Sequence, residues 1–140
     1  MKNLFSTIVL LILFLGVKGQ AKQMTANEAK NLLQGNCFNF DIGNRSGSFS
    51  SLILRKIQFC STGSLICNRI NYYSSGSGYE TQSTDFGSWN VILHQNELYL
   101  EMAWKGSRPE YIRLIPNPYN KSFNFDWEGS ISHCGYTRCY

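Results

Sequence analysis

Between Trp89 and Trp104 the large apolar side chains fall on every second residue and keep their phase across a two-residue turn. In Trp89-Asn90-Val91-Ile92-Leu93-His94 the odd positions carry them; in Leu98-Tyr99-Leu100-Glu101-Met102-Ala103-Trp104 the even positions do. A turn at Gln95-Asn96 pairs Leu93 with Leu98, Val91 with Leu100 and Trp89 with Met102, so one register sends every bulky residue to one face. A slip of one residue would turn the whole set to water. The chain must therefore build antiparallel sheet with one dry face, and a lone hairpin cannot bury that face by itself.

The rest of the chain extends the same pattern. Glu110 to Pro116 fits as the next strand if Trp104 faces Glu110 across a short loop; Ile112 and Leu114 then join the dry face and Arg113 opposes Glu101. Phe123, Phe125 and Trp127 alternate with Asn124, Asp126 and Glu128 in a further one-sided strand. Leu52 to Phe59 and Leu65 to Tyr73 flank Ser61-Thr62-Gly63-Ser64, a hairpin signal, and the break in alternation at Arg55-Lys56 predicts a bulge. With Cys37 to Asp41 and a segment around Tyr79 to Thr84, the total is about eight short strands. Before them lies one short helix, from Thr25 to Gly35. Thr25 and Glu28 have capping-box spacing, Leu32 and Leu33 anchor it, and Gly35 suits the left-handed stop. The fold class is thus mostly β, an antiparallel up-and-down meander with one short N-terminal helix. Gly43 to Ser51 and Ser74 to Gly78 are Ser/Gly-rich and read as loops within a single domain.

Composition sets the compartment. Met1-Lys2-Asn3 carries one positive charge, Leu4 to Val17 is an apolar run of about 14 residues, and Val17-Lys18-Gly19 puts compact residues at −3 and −1 of a cleavage point. That run is shorter than the roughly 20 residues that span a bilayer. Residues 1–19 are expected to be a signal peptide and residues 20–140 a single secreted or periplasmic domain with no membrane span. Thirteen basic residues against nine acids are scattered singly, which gives no support to nucleic-acid binding. All five cysteines (Cys37, Cys60, Cys67, Cys134, Cys139) lie in the mature chain, where an oxidising compartment favours pairing and an odd count leaves a thiol over. Their spacing does not suit zinc, and no metal or cofactor motif is present.

Several segments together resemble a small bacterial lipocalin-like, calycin-type protein. They are Leu33-Gln34-Gly35-Asn36-Cys37-Phe38, Arg55-Lys56-Ile57-Gln58-Phe59 with Ser61-Thr62-Gly63-Ser64-Leu65, Gly87-Ser88-Trp89-Asn90-Val91, Leu98-Tyr99-Leu100 and Tyr111-Ile112-Arg113-Leu114. Cys37 stands where the lipocalin signature has tryptophan. The resemblance implies an eight-stranded up-and-down barrel whose interior either holds a ligand or is filled by side chains. In a closed meander the first and last strands are neighbours, which brings Cys37 towards Cys134 or Cys139. A Cys60–Cys67 bridge is the strained alternative: if Thr62-Gly63 is the turn, the two are diagonal partners at roughly 7–8 Å.

Candidate sites follow from this frame. A ligand inside the barrel, a small apolar molecule or lipid, would meet Trp89, Val91, Leu100, Met102, Ile112, Leu114, Phe125 and Trp127, the same residues that a solid core requires. The Tyr/Ser/Gly segment containing Tyr72, Tyr73 and Tyr79 has the composition of adaptable binding loops and would serve a protein partner. Catalytic residues are not expected. Asp126 and Glu128 share the wet face of their strand, and His94 sits beside a turn opposite Glu97. His133 and Cys134, being adjacent, point to opposite faces. Asn44-Arg45-Ser46 and Asn120-Lys121-Ser122 are glycosylation sequons, meaningful in a eukaryotic source. The expected function is that of an exported non-enzymatic binding protein, the alternative an interaction module with a filled core.

Overall fold

The computed structural model describes residues 23–46, 49–74, 78–137 and 139; the expected signal peptide lies outside them. Among the described residues, no helix is long and apolar enough to cross a membrane. Helix α1 (Ala26–Leu33) begins where Thr25 and Glu28 close a capping box: the Glu28 carboxylate accepts from the Thr25 N–H at 2.8 Å, and the Thr25 hydroxyl accepts from the Glu28 N–H at 3.2 Å. One face of α1 is dry, with Ala29 and Leu33 fully buried, and Gly35 N–H ties the helix exit to the Phe59 carbonyl at 2.7 Å.

Eight antiparallel strands follow: β1 (Asn36–Ser46), β2 (Phe49–Phe59), β3 (Ser64–Ser74), β4 (Tyr79–His94), β5 (Glu97–Trp104), β6 (Glu110–Pro116), β7 (Phe123–Phe125) and β8 (Ser130–Tyr136). They form one up-and-down sheet in the order β7-β6-β5-β4-β3-β2-β1-β8, curled into a nearly closed barrel. Strands β7 and β8 are consecutive in the chain yet lie at the two edges of that order. The seam between them is bridged by rings. Phe125 lies 5.3 Å from both Phe38 and Phe40 of β1, and Trp127 lies 5.5 Å from Phe40, all edge to face.

The hairpin that anchors the sequence pattern has the expected register: Leu93↔Leu98, Val91↔Leu100, Trp89↔Met102. Its turn residues Gln95 and Asn96 have φ of 49° and 64°, the positive angles that match a two-residue turn to strand twist. The neighbouring register differs from expectation by two residues. Met102, not Trp104, faces Glu110, so Arg113 opposes Tyr99 and Glu101 opposes Tyr111. The loop is longer than expected, and because the slip is an even number, Ile112 and Leu114 keep their inward face. On β2 and β3 the register is offset by one, Phe59↔Leu65 and Ile57↔Cys67, which turns Cys67 inward beside Ile57. No bulge interrupts β2 at Arg55-Lys56: its pairing with β1 and β3 is continuous through both residues. The two segments expected around Tyr79–Thr84 and Trp89–His94 are one strand, β4. The eighth strand is Ser130–Tyr136, while β7 ends at Phe125 rather than running on to Glu128.

The register irregularity sits instead where β1 meets β8. Cys37 pairs with Gly135 and Phe38 with His133, leaving Cys134 as the extra, bulged residue. Gly135, with φ 108°, supplies the backbone angle that the bulge needs. The bulge turns Cys134 to Cys37, Cα–Cα 5.2 Å, and the two are disulfide-bonded. A second disulfide joins Cys60, just past β2, to Cys139, Cα–Cα 5.5 Å. Cys67 is left as a buried free thiol, so the Cys60–Cys67 alternative does not form. Two disulfides are in keeping with an oxidising, extracellular environment.

The core is densest at the α1 end of the barrel. Phe59, Leu65, Leu98, Leu100, Met102 and Leu114 are each at most 2% exposed. The Trp89 ring meets Phe59 at 5.3 Å, carries the Lys30 ammonium 5.6 Å above it, and donates its indole N–H to the Cys60 carbonyl at 3.0 Å. That bond gives a polar group in the core its partner, as burial demands.

Candidate functional site

The inward face changes character away from α1. Along β2 the dry phase Phe59, Ile57 continues into Arg55, about 13 Å from Phe59 at strand rise. On β3, Leu65 and Cys67 continue into Arg69; on β4, Trp89 and Gly87 continue into Asp85; on β6, Leu114 and Ile112 continue into Glu110. Four strands therefore each turn one charged side chain into the lumen at the same end.

Arg55 and Arg69 are directly opposite on β2 and β3, a like-charge juxtaposition that costs stability unless each finds an acid. Each does. Arg55 Nη1 reaches across the lumen to Glu110, 2.8 Å from Oε2 and 3.1 Å from Oε1, with the arginine side chain only 12% exposed. Arg69 Nη2 meets Asp85 Oδ2 at 3.3 Å. The Arg55 guanidinium also lies 5.4 Å over the Trp127 ring, a cation–π contact that occupies its face while its edge is paired. Glu110, Arg69 and Asp85 are each 36–37% exposed, so solvent reaches this end of the barrel.

Three N–H donors at or beside this cluster are buried without a hydrogen-bond partner among the described residues: Arg69 Nε, Trp104 Nε1 and Trp127 Nε1. Trp104 is buried on the inward face of β5, opposite Gly87 and one inward step from Met102, the partner of Glu110. The Trp127 nitrogen belongs to the seam: it would lie 3.0 Å from a methyl placed on Gly129. The unpartnered Asp41 Oδ1 is on β1, whose Asp41 pairs with Ser130 of β8.

Cys67 lies just beneath the charges. Burial pushes its thiol up to about 11; the two arginines pull the other way, and Asp85 and Glu110 add to the rise. Two outcomes are expected. In folded protein at about pH 8 Cys67 resists alkylation, and one thiol per chain becomes reactive on unfolding, as mass spectrometry would read. The folded state also holds this proton more tightly than the unfolded chain, whose thiol titrates near the ordinary value of 9.0. The stabilisation from Cys67 is thus complete below about pH 9 and is lost as pH rises towards 11. A urea midpoint that falls across that window in wild type, and falls less in Cys67→Ala, is the check.

Most residues expected to line a ligand cavity lie in the packed core. A void wide enough for water would leave its walls accessible, yet Leu100 and Met102 are 0% and Leu114 1% exposed. Trp89, Val91 and Ile112 are also buried; Phe125 and Trp127 are half-buried at the seam. Tyr72 is exposed beside Leu52 on the outer face, Tyr73 is half-buried, and the loop between β3 and β4 lies outside the described residues at 75–77. Of the acids weighed for catalysis, Asp126 is bonded to Arg113 at 3.0 Å and Glu128 is exposed. His94 is exposed, 6.4 Å edge to face from Tyr99, while His133 bonds Asn36 at 2.8 Å. No group of three metal-ligating side chains occurs among the described residues.

The charged residues of the lumen are the ones sequence reasoning missed. Their signal was present: Ile53, Arg55, Ile57 and Phe59 hold one phase, and reading Arg55 in phase rather than as a bulge would have placed it inside. Compared with family models, curated proteins and solved structures, the chain matches none of them.

Proposed function

We propose that this protein is an extracellular, non-enzymatic binding protein that receives a small, largely apolar molecule at the end of its barrel away from α1. The observation that carries this reading is the inward turn of Arg55, Arg69, Asp85 and Glu110 above a solid core. A structural barrel needs no charge in its lumen, and charges placed there cost desolvation. A ligand site uses a few fixed polar groups among aromatic and aliphatic walls, here Trp104 and Trp127. The resemblance to lipocalin-like barrels, whose interior either holds a ligand or is filled by side chains, is in keeping with this reading.

Native mass spectrometry of the mature protein purified from its exported fraction tests the reading. The expected result is a reproducible added mass of a few hundred daltons that leaves on unfolding. A bare mass that persists after incubation with lipid extracts would sink it and favour the second reading. That reading is an interaction module, for which Leu52 and Tyr72, paired and exposed on the outer face, speak directly. Replacing the exposed pair Leu52 and Tyr72 by threonine would then abolish partner capture while changing stability little.

A further inference from the structure

We infer that the ligand of the barrel is uncharged and carries an acceptor oxygen, a carbonyl or ester, that meets the N–H groups of Trp104 and Arg69 while its apolar body lies against the tryptophan rings. This rests on the binding-protein reading above and names its ligand class.

Three observations converge. Trp104 is 8% exposed and its Nε1 has no partner among the described residues, nor has Arg69 Nε. Buried donors without partners are rare in folded proteins and costly, so each calls for an acceptor brought from outside. Among the described residues, the unsatisfied groups facing the lumen are both donors, so the missing partner is an acceptor. Finally, the charges cancel in pairs, Arg55 with Glu110 and Arg69 with Asp85. An anionic head would meet the carboxylates of Glu110 and Asp85 beside the two guanidinium groups. A cationic head would meet the two arginines beside the carboxylates.

The aromatic side chains beside the charges suit an uncharged ring or chain. The Arg55 guanidinium lies over the Trp127 ring, and Phe40 packs against that ring edge to face, which fixes it as a rigid wall. Trp104 is fixed by burial on β5. Two immobilised indoles offer large apolar area at little entropic cost, and one of them carries the polar contact.

The test is calorimetric titration of the mature protein with four probes of matched shape: acetylnaphthalene, ethylnaphthalene, naphthoate and naphthylmethylammonium. Acetylnaphthalene is expected to bind about tenfold more tightly than the other three, the worth of one or two hydrogen bonds to otherwise unpaired donors. Trp104→Phe removes one donor and keeps the ring; Arg69→Lys removes the Nε donor and keeps the charge against Asp85. Each should cut the acetyl-over-ethyl preference about threefold, a ratio that cancels whatever the substitution does to apolar packing of both probes. Thermal melting checks that each variant is folded, and if Trp104→Phe is not, Arg69→Lys decides. Equal binding of the acetyl and ethyl probes, or tightest binding of naphthoate, overturns the ligand class while the binding-protein reading stands. Binding of none of the four, with no adduct in native mass spectrometry, overturns both.

Discussion

Protein in which Cys37, Cys134, Cys60 and Cys139 are all replaced by alanine is expected to be unfolded at room temperature, whereas loss of either bridge alone leaves it folded but weakened. The asymmetry comes from the way the bridges share chain. The Cys60–Cys139 loop spans 79 residues and the Cys37–Cys134 loop 97. With Cys60–Cys139 intact, however, Cys37 and Cys134 are already joined by a short path: Cys37 to Cys60, across the bridge, and back from Cys139 to Cys134. That path is roughly 28 residues, so in the chain-entropy account closing it is worth about 3.5 kcal/mol rather than the nearly 5 of a loop near 100 residues. The remaining bridge is worth about 4.5 kcal/mol. Both together amount to about 8 kcal/mol, comparable with the whole stability of a domain this size. Circular dichroism and urea unfolding read the result. A single-bridge variant should melt on the order of 10–15 °C lower, and a four-alanine variant that still unfolds cooperatively with near wild-type midpoint would overturn the pairing.

Gly129→Ala is expected to cost about 3 kcal/mol or more, a large effect for one methyl group. A Cβ at Gly129 would stand 1.7 Å from the carbonyl oxygen of Asp41 and 2.9 Å from its carbon. Neither atom can swing aside, because Asp41 is paired to Leu54 on one side and Ser130 on the other. The connector between β7 and β8 must lift instead, taking Trp127 away from Phe40 and from the Arg55 guanidinium. The seam of the barrel and the wall of the proposed ligand site would thus fail together. Gly43→Ala on β1 is the matched control: its Cβ meets only Leu52 Cδ1 at 4.0 Å, and its unfolding midpoint should stay within about 0.5 kcal/mol of wild type. Equal, small losses in the two variants would refute the packing of the connector on β1.

These two sites show where the sequence was readable and where it was not. Trp89 to Trp104 could be registered to the residue because a two-residue turn leaves no freedom and alternation does the rest. The β5–β6 register could not, since nothing in Lys105-Gly106-Ser107-Arg108-Pro109 states how much of the chain belongs to the loop. Strand β8 hid because Ser130-Ile131-Ser132-His133-Cys134-Gly135-Tyr136 is bulged at Cys134 and has no apolar phase. The pairing of Cys60 with Cys139 depends on where the tail after β8 goes, which is long-range geometry. The lumen charges were misread for a different reason. Alternation assigns charge to the outside, so Arg55 registers as a fault in the pattern, whereas across the barrel Glu110 makes its inward turn affordable. A partner 55 residues away leaves no local trace.

The placement of the disulfides also decides what tension would do to this molecule. A pull applied ahead of Cys37 and behind Cys139 is transmitted from Cys37 straight to Cys134, or to Cys60 and on to Cys139, through covalent bonds. Most of the strand ladder, and all of the lumen with Arg55, Glu110 and Trp104, lies inside the bridged span and carries little or no load. In a force spectrometer the oxidised chain should lengthen by little more than its terminal segments, and only a reductant would expose the contour length of the barrel. A domain wired in this way can be tethered at either end without stretching its lumen.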